Sequence, residues 1–176
     1  MPGFVAQTVD SRLAVLGAAR IWLGLRNSDD QGARFDVRVD LVKNGSPWAS
    51  GLARCVSGIT RNPDKALELT IPFDSAPGVA VGPGDELAFT VSTRIGTTNE
   101  GGFCGGHSNA TGLRLYFDSA SRTSGPGEFF LHSAGGGVFD VNAPPAGSPA
   151  QADSPSLHWT GGNPWQVVGT WTHTGP

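Results

Sequence analysis

Oxygen donors crowd into one stretch of this sequence, Asn27-Ser28-Asp29-Asp30-Gln31-Gly32, with Asp36 shortly after it. Hard cations such as Ca²⁺ take about six to eight oxygens from carboxylates, amides and backbone carbonyls. Side chains at alternate positions, with a glycine for a sharp turn, supply several of them, and Asn27, Asp29, Gln31 and Gly32 stand at those offsets. The terminal bidentate Glu of an EF-hand is missing, and the pattern that follows is a strand rather than a helix. The candidate ligands for a structural Ca²⁺ are therefore Asn27, Asp29, Asp30 and Asp36. The competing reading is an Asx-turn between two strands, with Asp29 and Asp30 in solvent.

A second chemistry resides in the aromatic residues Trp22, Trp48, Tyr116, Trp159, Trp165 and Trp171. Sugars present C–H faces that stack on flat rings, while polar side chains take their hydroxyls. Trp22 and Tyr116 fall on the polar phase of their strands, in the company of Arg26, Asp36, Arg38, Asp40 and Arg114. The candidate ligand-binding residues are Trp22, Arg38, Arg114, Tyr116, Trp159 and Trp165, and the ligand class they fit is a glycan. If the polar face is instead covered, Trp22 and Tyr116 become core of a second layer and the charges become cross-strand pairs.

Catalytic signatures are absent from the sequence. His107, His132, His158 and His173 show no metal-site spacing. They read as loop and surface histidines, with only Gly105-Gly106-His107 beside Cys104 offering a ligand. There is no nucleophile elbow, phosphate loop or dinucleotide fingerprint. Glu68, Glu86, Glu100 and Glu128 are scattered, and spacing alone does not set two acids across a cleft. The expectation is a non-catalytic module; a small sandwich-fold hydrolase or lyase is the alternative. Cys55 and Cys104 lack finger or Cys-x-x-Cys spacing. They are expected to form a disulfide closing a loop of about 50 residues, stabilising by about 4 kcal/mol, in an oxidising compartment. Two unpaired thiols are the alternative.

These residues must be positioned by strands. Ile21, Leu23 and Leu25 alternate with Trp22, Gly24 and Arg26; Phe35, Val37, Val39 and Leu41 alternate with Asp36, Arg38 and Asp40. A helix would scatter the apolar residues around its barrel. The period of two predicts strands with one buried face, flanking the acidic loop as a hairpin-like central pair. Lys43-Asn44-Gly45-Ser46 is a tight-turn signal, with a returning strand over 47–56. Further strands are expected at 67–73, with Pro72 near its end, at 87–95 and at 113–118. Shorter ones are expected at 129–131, 138–141 and 167–171, and an edge strand within 6–16. The Gly/Asn/Thr-rich loop 96–112 is long enough to need pinning, which Cys104 would do. The Pro/Ala/Ser-rich run 143–156 reads as an extended excursion.

With Gly 26 and Pro 13 in 176 residues, many turns are expected and long helices are not. Eight to ten short strands predict an all-β, two-sheet antiparallel sandwich, jelly-roll-like, in one domain over 1–176. An immunoglobulin-like sandwich with long loops is the alternative, although no Trp lies between the cysteines. A net charge of −3 leaves no basic footprint for nucleic acid. No apolar run reaches the roughly 18 residues that would insert in a bilayer, and Met1-Pro2-Gly3-Phe4 does not open like a signal peptide.

The motifs Ala19-Arg20-Ile21-Trp22-Leu23-Gly24-Leu25-Arg26-Asn27-Ser28-Asp29-Asp30, Arg34-Phe35-Asp36-Val37-Arg38, Gly112-Leu113-Arg114-Leu115-Tyr116-Phe117-Asp118, Gly161-Gly162-Asn163-Pro164-Trp165 and Gly169-Thr170-Trp171 together resemble a group of functionally uncharacterised bacterial secreted β-sandwich modules. The resemblance spans most of the chain and implies a bacterial protein, extracellular or at the cell surface. It implies no catalytic residue. The expected partner is a polysaccharide or cell-surface glycan, with self-association or adhesion as the rival role.

Overall fold

The computed structural model describes residues 17–74 and 82–174; the edge strand expected within 6–16 lies outside them. The described residues form thirteen strands: β1 (Ala19–Leu25), β2 (Phe35–Lys43), β3 (Ser46–Val56), β4 (Leu67–Ile71), β5 (Glu86–Ile95), β6 (Asn109–Ala110), β7 (Leu113–Phe117), β8 (Gly125–Pro126), β9 (Phe130–His132), β10 (Val138–Asp140), β11 (Ala150–Asp153), β12 (Leu157–His158) and β13 (Gln166–Thr174). Among the described residues the only helical pieces are single 3₁₀ turns, at Ser28–Asp30, Pro63–Lys65 and Ala134–Gly136.

The protein is all-β. A first sheet has the order β11-β7-β1-β4, with β8 also on β1. A second has the order β3-β2-β5-β13-β10-β9, and β6 and β12 form a separate pair. Among the described residues, pairing is antiparallel except where β10 meets β13. The apolar phases predicted for each strand face one core: Ile21, Leu23 and Leu25 from the first sheet, and Phe35, Val37, Val39, Leu41, Phe89 and Val91 from the second, are all buried. Phe89, Phe117, Phe129, Phe139 and Trp171 interlock there edge to face or tilted, with centroids 5.1–6.4 Å apart, a spacing that suits aromatic quadrupoles.

The expected hairpin-like pair is corrected by this topology. β1 pairs with β4, β7 and β8, whereas β2 pairs with β3 and β5. The acidic segment between them crosses from one sheet to the other. Period-two alternation makes each strand two-faced but does not choose its partner, so two strands whose apolar faces oppose each other across a core look the same in sequence as two that share a sheet. The β2–β3 hairpin does form at the expected place, with Asn44 at φ 49° and Gly45 at φ 83°, the positive dihedrals that Asn-Gly turns supply. The run 143–156 contains β11, which pairs with β7 from Ala150↔Phe117 to Asp153↔Arg114; its small, polar residues carry no strand pattern.

Candidate functional site

The aromatic and arginine residues expected to share one platform fall on different faces. On the outer side of the first sheet, Trp22 lies beside Tyr116 in register. The Arg122 guanidinium sits 4.9 Å above the Trp22 ring and donates to the Pro63 carbonyl oxygen at 2.7 Å, so the segment after β3 folds down over this face. Tyr116 is 0% exposed, packed against Gly24 where a Cβ would meet its ring and the Thr60 carbonyl oxygen. Tyr116 is thereby corrected from ligand platform to core: the second layer that sequence left open is the one the chain builds. Arg114 donates to both oxygens of Asp153, at 2.8 and 3.1 Å, across the β7–β11 register. That forked ion pair holds the Arg114 pKa above its ordinary value, the hydrogen bonds outweighing the opposing effect of burial.

The outer side of the second sheet is different. Here β2, β3, β5 and β13 present Arg38, Asp40, Ser50, Thr90, Ser92 and Val167 around an open groove of about 650 Å³ that reaches Trp48 at one end. Val167 is 51% exposed on it. A second groove of about 400 Å³ is lined by Arg94, Thr97, Gly101, Trp159, Gly162 and Asn163. Trp165 connects the two, its ring lying against Arg38 of the first groove and Arg94 of the second, at 4.4 and 4.3 Å from its centroid. Trp159 meets Phe103 at 5.3 Å. The structure thus brings Arg38, Trp159 and Trp165 to one strip and leaves Trp22, Arg114 and Tyr116 on the opposite sheet.

The strip is braced from beneath by Asp36. This side chain is 0% exposed and accepts four hydrogen bonds. Oδ1 takes the backbone N–H of Cys55 at 3.1 Å and of Thr97 at 2.9 Å; Oδ2 takes Arg94 Nε at 2.9 Å and Thr97 Oγ1 at 2.6 Å. Arg54 Nη1 donates to the same Thr97 hydroxyl at 2.6 Å. Asn163 anchors the segment leading to Trp165, its side chain accepting from Ile95 N at 3.0 Å and donating to Ile95 O at 2.7 Å. Arg94, Thr97 and Asn163 were not singled out from the sequence. The available signals were the polar phase of Arg94 in its strand and the Gly161-Gly162-Asn163-Pro164-Trp165 motif.

Asp36 is therefore corrected from cation ligand to buried hydrogen-bond hub. Its neighbours within ligand distance are Cys55 and Cys104, which form the expected disulfide with Cα atoms 6.0 Å apart. The other three oxygen donors do not join it. Asn27 Oδ1 caps its own turn by accepting from Asp29 N at 2.9 Å. Asp30 is buried rather than solvated and accepts from Thr111 N at 2.8 Å. Asp29 stays at the surface. Among the described residues, no group of three or more Asp, Glu, His or Cys ligand atoms other than Asp36, Cys55 and Cys104 comes within one coordination distance. The disulfide and these loop contacts pin the loop 96–112: His107 Nε2 lies 3.0 Å from Gln31 O, and Gly106, at φ 80°, approaches Gly32 where a side chain would not fit.

A further polar cluster had no sequence signature. His132, read as a surface residue, sits between Asp118 and Asp140, with Nδ1 and Nε2 each 2.8 Å from a carboxylate oxygen. Ser133 Oγ donates to Asp118 Oδ2 at 2.9 Å, so the hydroxyl rests on the carboxylate and not on the imidazole that would have to take its proton in nucleophilic catalysis. Burial of the ring opposes its protonation, but the hydrogen bonds and charges of Asp118 and Asp140 prevail and raise the His132 pKa. Asp118 is likewise lowered: burial works the other way, and hydrogen bonds from His132 and Ser133 overcome it.

No protein-family model, curated protein or solved structure matches the chain.

Proposed function

We propose that this protein is a non-catalytic extracellular binding module that takes a polysaccharide along the outer face of its second sheet. One observation carries the reading: Trp165, half-buried just before β13, is held by two arginines, one from the groove that includes Trp48 and one from the groove walled by Trp159. Flat rings along a shallow strip suit the C–H faces of a chain of sugars, and the flanking guanidiniums and hydroxyls suit its oxygens. The disulfide supports placement in an oxidising compartment, and the motif resemblance supports secretion from a bacterium. The expected affinity is micromolar to millimolar. Substituting a central aromatic of an interface costs about 2 kcal/mol or more, so Trp165→Ala and Trp159→Ala each weaken binding about thirtyfold. A broad polysaccharide panel on which the native protein shows no binding refutes the reading.

The exposed apolar residues Leu52 and Val167 on the same sheet favour self-association as the second reading. Light scattering across a concentration series distinguishes them, since a monomer at every concentration removes the second.

A further inference from the structure

We propose that the polysaccharide is acidic: a hexuronan whose ring carboxylates are received by Arg38, Arg54 and Arg94. The inference rests on the reading of this face as a polysaccharide surface and narrows its ligand class.

The hydrogen-bonding inventory of the strip carries it. Each guanidinium is tethered on one side and keeps donors in hand. Arg94 spends Nε on Asp36 and Nη2 on Thr97 Oγ1 at 3.3 Å, and its Nη1 has no hydrogen-bond partner among the described residues. Arg38 spends Nε on Asp40 Oδ2 at 3.0 Å, and both its Nη atoms are likewise without one. Arg54 is held through Nη1 on Thr97. Tethering fixes the forks in place, so less freedom is lost when a ligand arrives.

Most of the acceptors around Trp165 already hold a donor. Asp36 is enclosed with four donors around it, Asn163 is occupied at both ends by Ile95, and the Thr90 and Thr170 hydroxyls bond each other at 3.0 Å. Asp40 is paired with Arg38 through one of its two oxygens, Oδ2. Neutral sugars offer hydroxyls that both donate and accept, and sites for them supply both roles. A ridge that offers preorganised N–H donors and few free acceptors fits a ligand that brings acceptors of its own, and the planar carboxylate is the group that matches a guanidinium fork. Two acidic residues also belong to these grooves, Asp74 in the outer one and Glu100 next to Gly101 of the second, so the attraction is confined to the arginines themselves.

The test is calorimetric titration of the whole protein with polygalacturonate, alginate and hyaluronan, with fully methyl-esterified polygalacturonate as the charge-free match, and with neutral mannan and xylan. The expected result is at least about tenfold tighter binding of the acid than of its methyl ester. That preference should shrink as ionic strength rises from about 0.05 to about 0.5 M. Arg54→Gln and, separately, Arg38→Gln should narrow the ratio of acid to ester affinity, with thermal melts confirming that each variant is folded. Equal binding of acid and ester, or binding of neutral chains with none of the hexuronans, overturns the acidic assignment and leaves the polysaccharide reading standing. No binding by any member of the panel overturns both.

Discussion

The Asp36 hub makes a quantitative demand on stability. Replacing Asp36 by Asn keeps the shape but gives one end of the side chain donors where it had acceptors. In one orientation the new amide faces the backbone N–H groups of Cys55 and Thr97; in the other it faces Arg94 Nε. In the first, two of the four hydrogen bonds are lost; in the second, the Thr97 hydroxyl can turn to accept from the amide and Arg94 Nε alone is opposed, in both cases at a site with 0% exposure. Leaving a buried donor unsatisfied costs about 1–3 kcal/mol each, and breaking a buried ion pair by removing one partner costs about 3–5 kcal/mol. Arg94 retains 22% side-chain exposure, so water softens part of its loss, and the expected cost is about 3 kcal/mol. For a chain of this length each kcal/mol moves the melting temperature by about 2–4 °C, which places Asp36→Asn about 6–12 °C below the native protein in differential scanning calorimetry. Arg94→Gln serves as the second corner of a double-mutant cycle, in which a coupling above about 1 kcal/mol is expected. A fall of less than about 3 °C with no coupling would show that the hub does not organise this face, and would remove the account of how Arg94 is oriented toward the grooves.

Two further outcomes follow from the other anchors. Because the folded-state pKa of His132 is raised, its stabilising effect is complete below the ordinary value of 6.5 and is lost as pH climbs through the raised value; because Asp118 is lowered, its effect is present above 3.8 and is lost as pH falls through the lowered value. The stability difference between the native protein and His132→Gln, measured by denaturant titration, should therefore be largest between these two values and shrink at alkaline pH; a difference constant from pH 5 to about pH 9 contradicts the arrangement. Replacing Cys55 and Cys104 together by Ala should cost about 4 kcal/mol and open the loop 96–112 to limited proteolysis. Unchanged cleavage in that loop would show that the Gln31 and Thr111 contacts suffice to hold it.

Several parts of this molecule were legible from residue order alone. Alternation in 21–26, 35–43, 87–95 and 113–118 was readable because a pleated strand must put every second side chain into the core. The Asn44-Gly45 turn was readable because few other residues accept positive φ. The pairing of Cys55 with Cys104 followed from there being two cysteines without metal spacing. The short strands β6, β8 and β11 were not readable: they are built from Gly, Pro, Ala and polar residues whose pairing comes from neighbours already in place.

What the sequence determined by itself is local: which segments extend, where they turn and which face of each is apolar. What only the tertiary structure decided is the company each residue keeps. Asp36 and Asp29 share an acidic neighbourhood in the chain, yet Asp36 is carried into the second sheet while Asp29 stays in the crossover. Trp22 and Trp165 are equally aromatic and both half-buried, yet one lies on the first sheet under Arg122 and the other beside the second sheet against Arg38 and Arg94. The physical reason is that backbone pairing and core burial, summed over distant strands, select the sheet partners, and no side chain near Asp36 or Trp165 in sequence encodes that choice.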